Sequence, residues 1–219
     1  MNNSTNLLKD IIYLRIHNMI ISGNLPMGQK ISESMLIERL NATKAPVRDA
    51  IKRLETENLV VIKPKSGTFI FSVTDKELEE LLEFRFCLES SAMRLAYTKN
   101  SKFLVQQLRL ILDKMQVSYE LNEMNEYLKL DYEFHNTIIA SSYNSYYIDA
   151  YSLVAARMAA VRVHLGSNQE HTTRSFEQHK NIINALEKDN LDVAINELLK
   201  HISPKHGAYW SITNITQPL

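Results

Sequence analysis

ISESMLIERLNATKAPVRDAIKRLETENLVVIKPKSGTFIF, residues 31–71, brings helix punctuation, clustered cations and a hairpin signal together in one short stretch. Ser32 is placed to cap a short helix whose apolar residues Met35, Leu36, Ile37 and Leu40 bunch on one side. Asn41, a residue tolerant of left-handed backbone, is placed to end it. A tight turn, Asn41 to Thr43, then leads to a second helix. Thr43 offers its N-cap oxygen, Pro46 falls in the first turn where a missing N–H costs little, and Val47, Ile51 and Leu54 repeat as a buried stripe.

The opposite face of that second helix carries Lys44, Arg48 and Lys52, also four apart, beside an N-terminus with its own partial positive charge. The β-prone runs Leu59–Ile62 and Thr68–Phe71 follow, joined by a loop with Lys63, Lys65 and Gly67. Lysines along one helix side are by themselves usually a solvated face. The full order (helix, short turn, basic helix, lysine-tipped hairpin) instead predicts a winged helix-turn-helix, with its second helix in a major groove and its wing on the backbone. Thr43, Lys44, Arg48, Lys52, Lys65 and Gly67 are the expected DNA-contacting residues.

These residues also carry a family resemblance. ATKAPVRDAIKRLETENLVVIKPKSGTFI, residues 42–70, resembles the GntR-type repressor pattern, in which (S/T)R(T/S)PVREAL precedes RLEAEGLV and a GxG(T)FV wing. Lys44 stands where the family usually has Arg, and Ala45 where it usually has a hydroxyl residue. An ammonium grips the two acceptors of guanine less well than a guanidinium, so these departures bear on base preference.

Working outward, 219 residues allow two domains, expected at 1–73 and 74–219. The chain is neutral overall, but residues 1–75 carry a net +3 and residues 76–219 a net −3, which puts the positive excess on the segment read as DNA-binding. No apolar run long enough for a membrane span, and no leader-like start, is present, so a cytoplasmic protein is expected. The single cysteine, Cys87, lies in an apolar helical pattern and is expected to be a buried thiol. An opening helix over 7–22, with Leu8, Ile11, Ile12, Ile16, Met19 and Ile20 at helical spacing and Gly23 after it, braces the reading helices.

From Thr74 onward the chain reads as all helix, starting at a capping box, Thr74 to Glu77. Segments are expected at 74–98, 101–120 (capped by Ser101), 123–140, 145–166, 172–188 and 191–202, with a short tail helix after Pro204. Six amphipathic segments with short joins make an antiparallel bundle, so the fold class is mainly α.

Asp131 and His135, four apart, share one helix face and can offer oxygen and imidazole ligands from adjacent turns. Such a pair alone is more often a surface hydrogen bond. His179 and His201, however, each border an apolar stripe and lie about ten residues either side of the turn at 188–190, hence at similar height on a helical hairpin. Three imidazoles and one carboxylate from three helices suit a divalent transition metal: zinc, nickel, manganese or iron. His164, His171 and His206 are expected to be solvated, and His17 half-buried or at the surface. Arg85 and Arg157 are candidate anchors for a carboxylate ligand, and Arg162 reads better as exposed or ion-paired.

The second half resembles the FCD effector-binding domain of the FadR subfamily of GntR regulators. ELLEFRFCLESSAMRLA (80–96), LDYEFHNTIIASSYN (130–144) and EQHKNIINALEKDNLDVAINELLKHI (177–202) carry the resemblance. In metal-binding members the ligands fall at positions corresponding to Asp131, His135, His179 and His201, and Arg85 matches a family arginine. The resemblance implies a homodimeric, metabolite-responsive regulator, most simply a repressor, of double-stranded operator DNA with an inverted repeat, controlled by a small carboxylate. Two other readings compete: a DNA-binding protein whose bundle only dimerises, and a metal-dependent helical-bundle enzyme. The enzyme is disfavoured, because Glu133 points away from the Asp131 face and paired Glu-x-x-His motifs are absent.

Overall fold

The computed structural model describes residues 2–165 and 169–203. The expected tail helix after Pro204 and His206 lie outside the described residues. The chain forms two compact units: one takes the chain up to Ser72 together with Ala156–His164, and the other takes Val73–Ala155 and the helices after Leu165.

The first unit opens with α1 (Asn2–Ile21), which Gly23 ends with a left-handed φ of 74°. Its buried side is Ile12, Tyr13, Ile16 and Ile20, whereas Leu8 and Ile11, expected on that stripe, are exposed. Helix α2 (Glu33–Leu40) is punctuated as its residues dictate: the Ser32 hydroxyl accepts from the Met35 N–H, and Asn41 closes it with φ 48°. Helix α3 (Lys44–Thr56) packs Val47, Ala50, Ile51 and Leu54 into the core. Thr43 holds the N-cap position, but its hydroxyl makes no capping bond, contrary to the sequence expectation.

The hairpin forms as β2 (Val60–Lys63) and β3 (Gly67–Ile70) with Lys63 opposite Gly67. A third strand, β1 (Lys30–Ile31), pairs antiparallel with β3 and makes the sheet order β1-β3-β2. Two residues are too few to leave an alternation pattern, so this strand has no sequence signature.

The second unit is helical throughout its described residues. Helix α4 (Asp75–Glu120) begins at the capping box, where the Glu77 carboxylate accepts from the Thr74 N–H at 2.8 Å and the Thr74 hydroxyl accepts from the Glu77 N–H at 3.2 Å. It is the two expected helices run together across a kink at Asn100 (φ −161°, ψ 79°). The cap of the second half is the Asn100 side chain, which accepts from the Phe103 N–H, rather than Ser101. Helices α5 (Met124–Ala140), α6 (Ser145–Leu165), α7 (Gln169–Glu187) and α8 (Leu191–Ile202) complete the unit, with the end of α6 counted in the first. Leu104, Leu108, Met115, Phe134, Ile138, Ile182, Ile183 and Leu198 fill its core. Cys87 is exposed, not buried: the inward face of α4 there is Leu81, Leu82, Arg85, Leu88, Glu89 and Ala92, and Cys87 falls on the other side.

Candidate metal centre and nucleic-acid interface

The N-terminal turn of α3 presents Thr43, Lys44 and Arg48 to solvent, and Lys52 follows one turn further on. With no side chain capping it, this helix end leaves N–H groups and positive dipole for an anion such as a phosphate. Arg48 is held in place: its Nε donates to the Glu33 carboxylate of α2 at 2.8 Å. Lys65 stands at the wing tip with φ 62°. Gly67 has φ 121°, a conformation that L side chains rarely adopt, so the turn calls for glycine; a Cβ there would lie 2.8 Å from the Lys30 Cε, which the flexible lysine chain could give way to. The Nζ atoms of Lys30 and Lys63 lie 5.8 and 5.2 Å from the centroid of the Phe69 ring. Sequence reading did not place Lys30 in this surface, because only its pairing through β1 brings it beside the wing.

Tyr13 ties α1 to α3. Its hydroxyl donates to Glu57, and Arg53 lies over its ring at 3.6 Å from the centroid. Burial, then the Glu57 carboxylate, push the Tyr13 phenol up to about 12. His17 is half-buried, and burial lowers its imidazole below the usual range.

In the second unit, Asp131 and His135 project from successive turns of α5, His179 from α7 and His201 from α8. The α7–α8 hairpin turns through Asp189 (φ 54°) and Asn190, whose side chain accepts from the Val193 N–H, and this sets His179 and His201 with ring centroids 4.5 Å apart. One ligand atom from each of the four residues lies within 4.8 Å of all the others, and all four residues are buried. His135 Nε2 is 3.1 Å from His201 Nε2 and 3.3 Å from His179 Nε2, and His179 Nε2 is 3.5 Å from Asp131 Oδ1.

The outer hydrogen bonds fix what these rings offer one another. His135 Nδ1 meets Glu89 Oε2 at 2.7 Å, and a carboxylate only accepts, so Nδ1 carries the proton. His201 Nδ1 likewise meets the Gln178 carbonyl oxygen at 3.1 Å. In the neutral rings both Nε2 atoms are then lone pairs facing each other at 3.1 Å, an arrangement that repels unless a cation sits among them. With metal–nitrogen bonds of about 2.0–2.1 Å, neighbouring ligand atoms lie roughly 2.8–3.0 Å apart around an octahedral ion and roughly 3.3–3.4 Å apart around a tetrahedral one, and the 3.1, 3.3 and 3.5 Å separations lie close to those values. The residues present therefore fit a metal ion.

Behind the cluster, Glu89 Oε1 accepts from Arg85 Nε at 2.6 Å and from the Tyr151 hydroxyl of α6 at 2.8 Å. Arg85, Glu89 and His135 are wholly buried. Arg85 thus has an internal carboxylate partner where a ligand anchor was expected, and Arg157, in the other unit, lies 5.2 Å over the Phe71 ring. Arg162 is buried, which excludes the exposed half of its expected reading; His171 is buried against the expectation that it is solvated, while His164 is exposed as expected. Glu89 and Gln178 were not singled out from the sequence. The only available signal was an acidic residue four after Arg85 on an otherwise apolar face.

Comparison with known proteins agrees with this two-part construction. The model of the bacterial regulatory proteins of the gntR family matches residues 8–70, and that of the FCD domain matches residues 80–203. The Nta operon transcriptional regulator of Aminobacter aminovorans is 30% identical over 188 residues, covering 86% of this chain and 87% of that protein. The gluconate operon transcriptional repressor of Bacillus licheniformis is 26% identical over 193 residues, covering 86% of this chain and 79% of its own. Among solved structures, E. coli McbR/YncC has the same fold, with a TM-score of 0.79 at 20% identity over 94% of this chain and 99% of that one. A winged helix-turn-helix joined to an all-helical domain is the construction of a class of bacterial transcription regulators. The chain belongs to the GntR family of these regulators, with an FCD domain as its second half. These relatives are transcription regulators, not enzymes. No helix among the described residues is long and apolar enough to cross a membrane.

Proposed function

We propose that this protein is a cytoplasmic, homodimeric, metabolite-responsive repressor of the FadR type. Residues 1–73 bind operator DNA and residues 74–219 bind a divalent transition metal, a small carboxylate and the second copy. The observation that carries the reading is the convergence of Asp131, His135, His179 and His201, all buried, with donor atoms within 4.8 Å of one another.

On the DNA side, Lys44, Arg48 and Lys52 face one way from α3 and enter the major groove, where the Arg48 guanidinium can meet two acceptors on a base edge. The Thr43 hydroxyl and the uncapped α3 N-terminus take a phosphate, and Lys65 with Gly67 sets the wing on the adjoining backbone. Two copies related by a two-fold axis read an inverted repeat.

On the effector side, Asp131, His135, His179 and His201 would hold the ion, and an ion that takes more than these four ligands would supply electrophilic positions for an anion's oxygens. Arg85 and Arg157 were the candidates for a second effector anchor, and their pairing with Glu89 and Phe71 makes the metal itself the main support for a carboxylate. The ligands come from three helices, so binding there favours one arrangement of α5, α7 and α8. It changes DNA affinity only by its differential affinity for two states, transmitted through the Ser72–Asp75 join.

The competing reading, a bundle that only dimerises, requires no metal and no ligand response. Elemental analysis of protein purified without chelator, then a thermal-shift screen of small carboxylates in the presence and absence of zinc, decides between them. Stoichiometric metal with a metal-dependent carboxylate shift is expected. A metal-free protein that takes up none overturns the proposal.

A further inference from the structure

Glu89 has a role that the four-ligand cluster alone does not explain. Its two oxygens face different partners: Oε1 accepts from Arg85 Nε and the Tyr151 hydroxyl, and Oε2 faces His135 Nδ1 at 2.7 Å. Arg85, Glu89 and His135 are wholly buried, so water does not compete for these bonds.

We infer that Glu89 is a positioning residue for the metal centre: it keeps His135 in the tautomer whose Nε2 carries a lone pair, and Arg85 with Tyr151 decides which oxygen does so. The inference rests on the metal reading above. An imidazole neutral at both ends of this exchange differs only in where its one proton sits. With the proton on Nδ1, Nε2 faces His179, His201 and the Asp131 side as a ligand; with the proton on Nε2, that proton occupies the place an ion would take.

The geometry makes an unusual demand of the Glu89→Gln substitution. Arg85 Nε can only donate, so the glutamine carbonyl must take the Oε1 position and the amide NH2 must take the Oε2 position, facing His135 Nδ1. Two donors cannot face each other, so His135 must move its proton to Nε2. A substitution that keeps size and polarity therefore closes the site. Removing Arg85 as well lets the amide turn over, present its carbonyl to Nδ1 and restore the open tautomer. It also removes a buried cation that would otherwise lack its carboxylate.

The test uses full-length protein and zinc as the probe, with zinc affinity read by competition against a chromogenic chelator. The His135 tautomer is read in metal-free protein from the imidazole nitrogen shifts. Wild type is expected to show His135 protonated at Nδ1. Glu89→Gln is expected to be protonated at Nε2 and to bind zinc about 10- to 100-fold more weakly. Arg85→Met with Glu89→Gln is expected to regain the Nδ1-protonated ring and most of the lost affinity. A folded Glu89→Gln protein with the wild-type tautomer or wild-type zinc affinity overturns the inference. If that variant does not fold, the double variant decides: the Nδ1 tautomer with zinc affinity within about tenfold of wild type supports it, and the Nε2 tautomer or a larger loss overturns it. Wild type that takes no zinc overturns the metal reading instead, a distinct outcome.

Discussion

Arg48 on α3 is held by Glu33 on α2, Nε to Oε1 at 2.8 Å, while 54% of the Arg48 side chain stays exposed. On the proposed DNA surface Glu33 would do two opposed things: fix the plane of the Arg48 fork, and place a negative charge near phosphates. Glu33→Gln is expected to weaken binding to the best operator by no more than about fivefold, the scale of an exposed pair worth about 0.2–1 kcal/mol, while binding to random duplex rises. Gel-shift titrations on both DNAs check this. A parallel rise on both would mean that Glu33 only repels DNA. Arg48→Ala should abolish operator selectivity with the fold intact by circular dichroism.

The wing lysines are expected to act through phosphates alone. Lys65→Ala and Lys30→Ala should each weaken binding to every sequence and reduce the slope of log affinity against log salt by roughly one. A loss confined to one operator sequence would place the side chain on a base edge.

His179→Ala with His201→Ala removes two ligands from two helices and should abolish metal binding and any effector response, leaving intrinsic DNA binding largely in place. Wild type should gain about 2.7 kcal/mol of stability at a metal concentration 100 times the dissociation constant, and the double variant none. Thermal unfolding with and without zinc measures the difference. Stoichiometric metal in the double variant would leave the bundle as a dimerisation module.

Tyr13 makes folding stability sensitive to alkali. Its phenol is raised from the ordinary 10.0 to about 12, so the folded state holds the proton more tightly than the unfolded chain. The stabilisation is complete below about pH 10 and is lost as pH rises toward 12. Tyr13→Phe should flatten urea stability across that window relative to wild type, and an unchanged slope would mean that the phenol does not titrate with folding.

The capping box at Thr74 fixes where α4 begins. Thr74→Ala should cost about 1 kcal/mol of stability, within the usual range of roughly 0.5–2 kcal/mol for an N-cap. The Ser72–Asp75 join should also loosen, seen as faster amide exchange at Glu77 and Leu78.

The sequence by itself determined whatever rests on local chemistry. Ser32 and Asn41 end α2, Pro46 and the Val47–Ile51–Leu54 stripe make α3, the lysine–glycine loop makes the wing, and Thr74 with Glu77 starts α4. Capping, turn and periodicity preferences act over a few residues, so they are written in adjacent letters. The four candidate ligands were legible for a related reason: one pair is four apart on a helix, and the other is symmetric about a tight turn, so backbone geometry alone brings each pair level. Tertiary structure decided the rest. The strand at Lys30 exists because β3 is beside it, and Asn100 rather than Ser101 breaks α4 into its two expected helices. Cys87 faces out because only packing sets the phase of α4. Arg85, a cation that suggested a ligand anchor, is the counter-ion of Glu89, whose other oxygen holds His135 from 46 positions away in the chain. A buried charge must find an opposite partner, but neither spacing nor composition says which one, since the partner is supplied by whichever helix the core brings alongside.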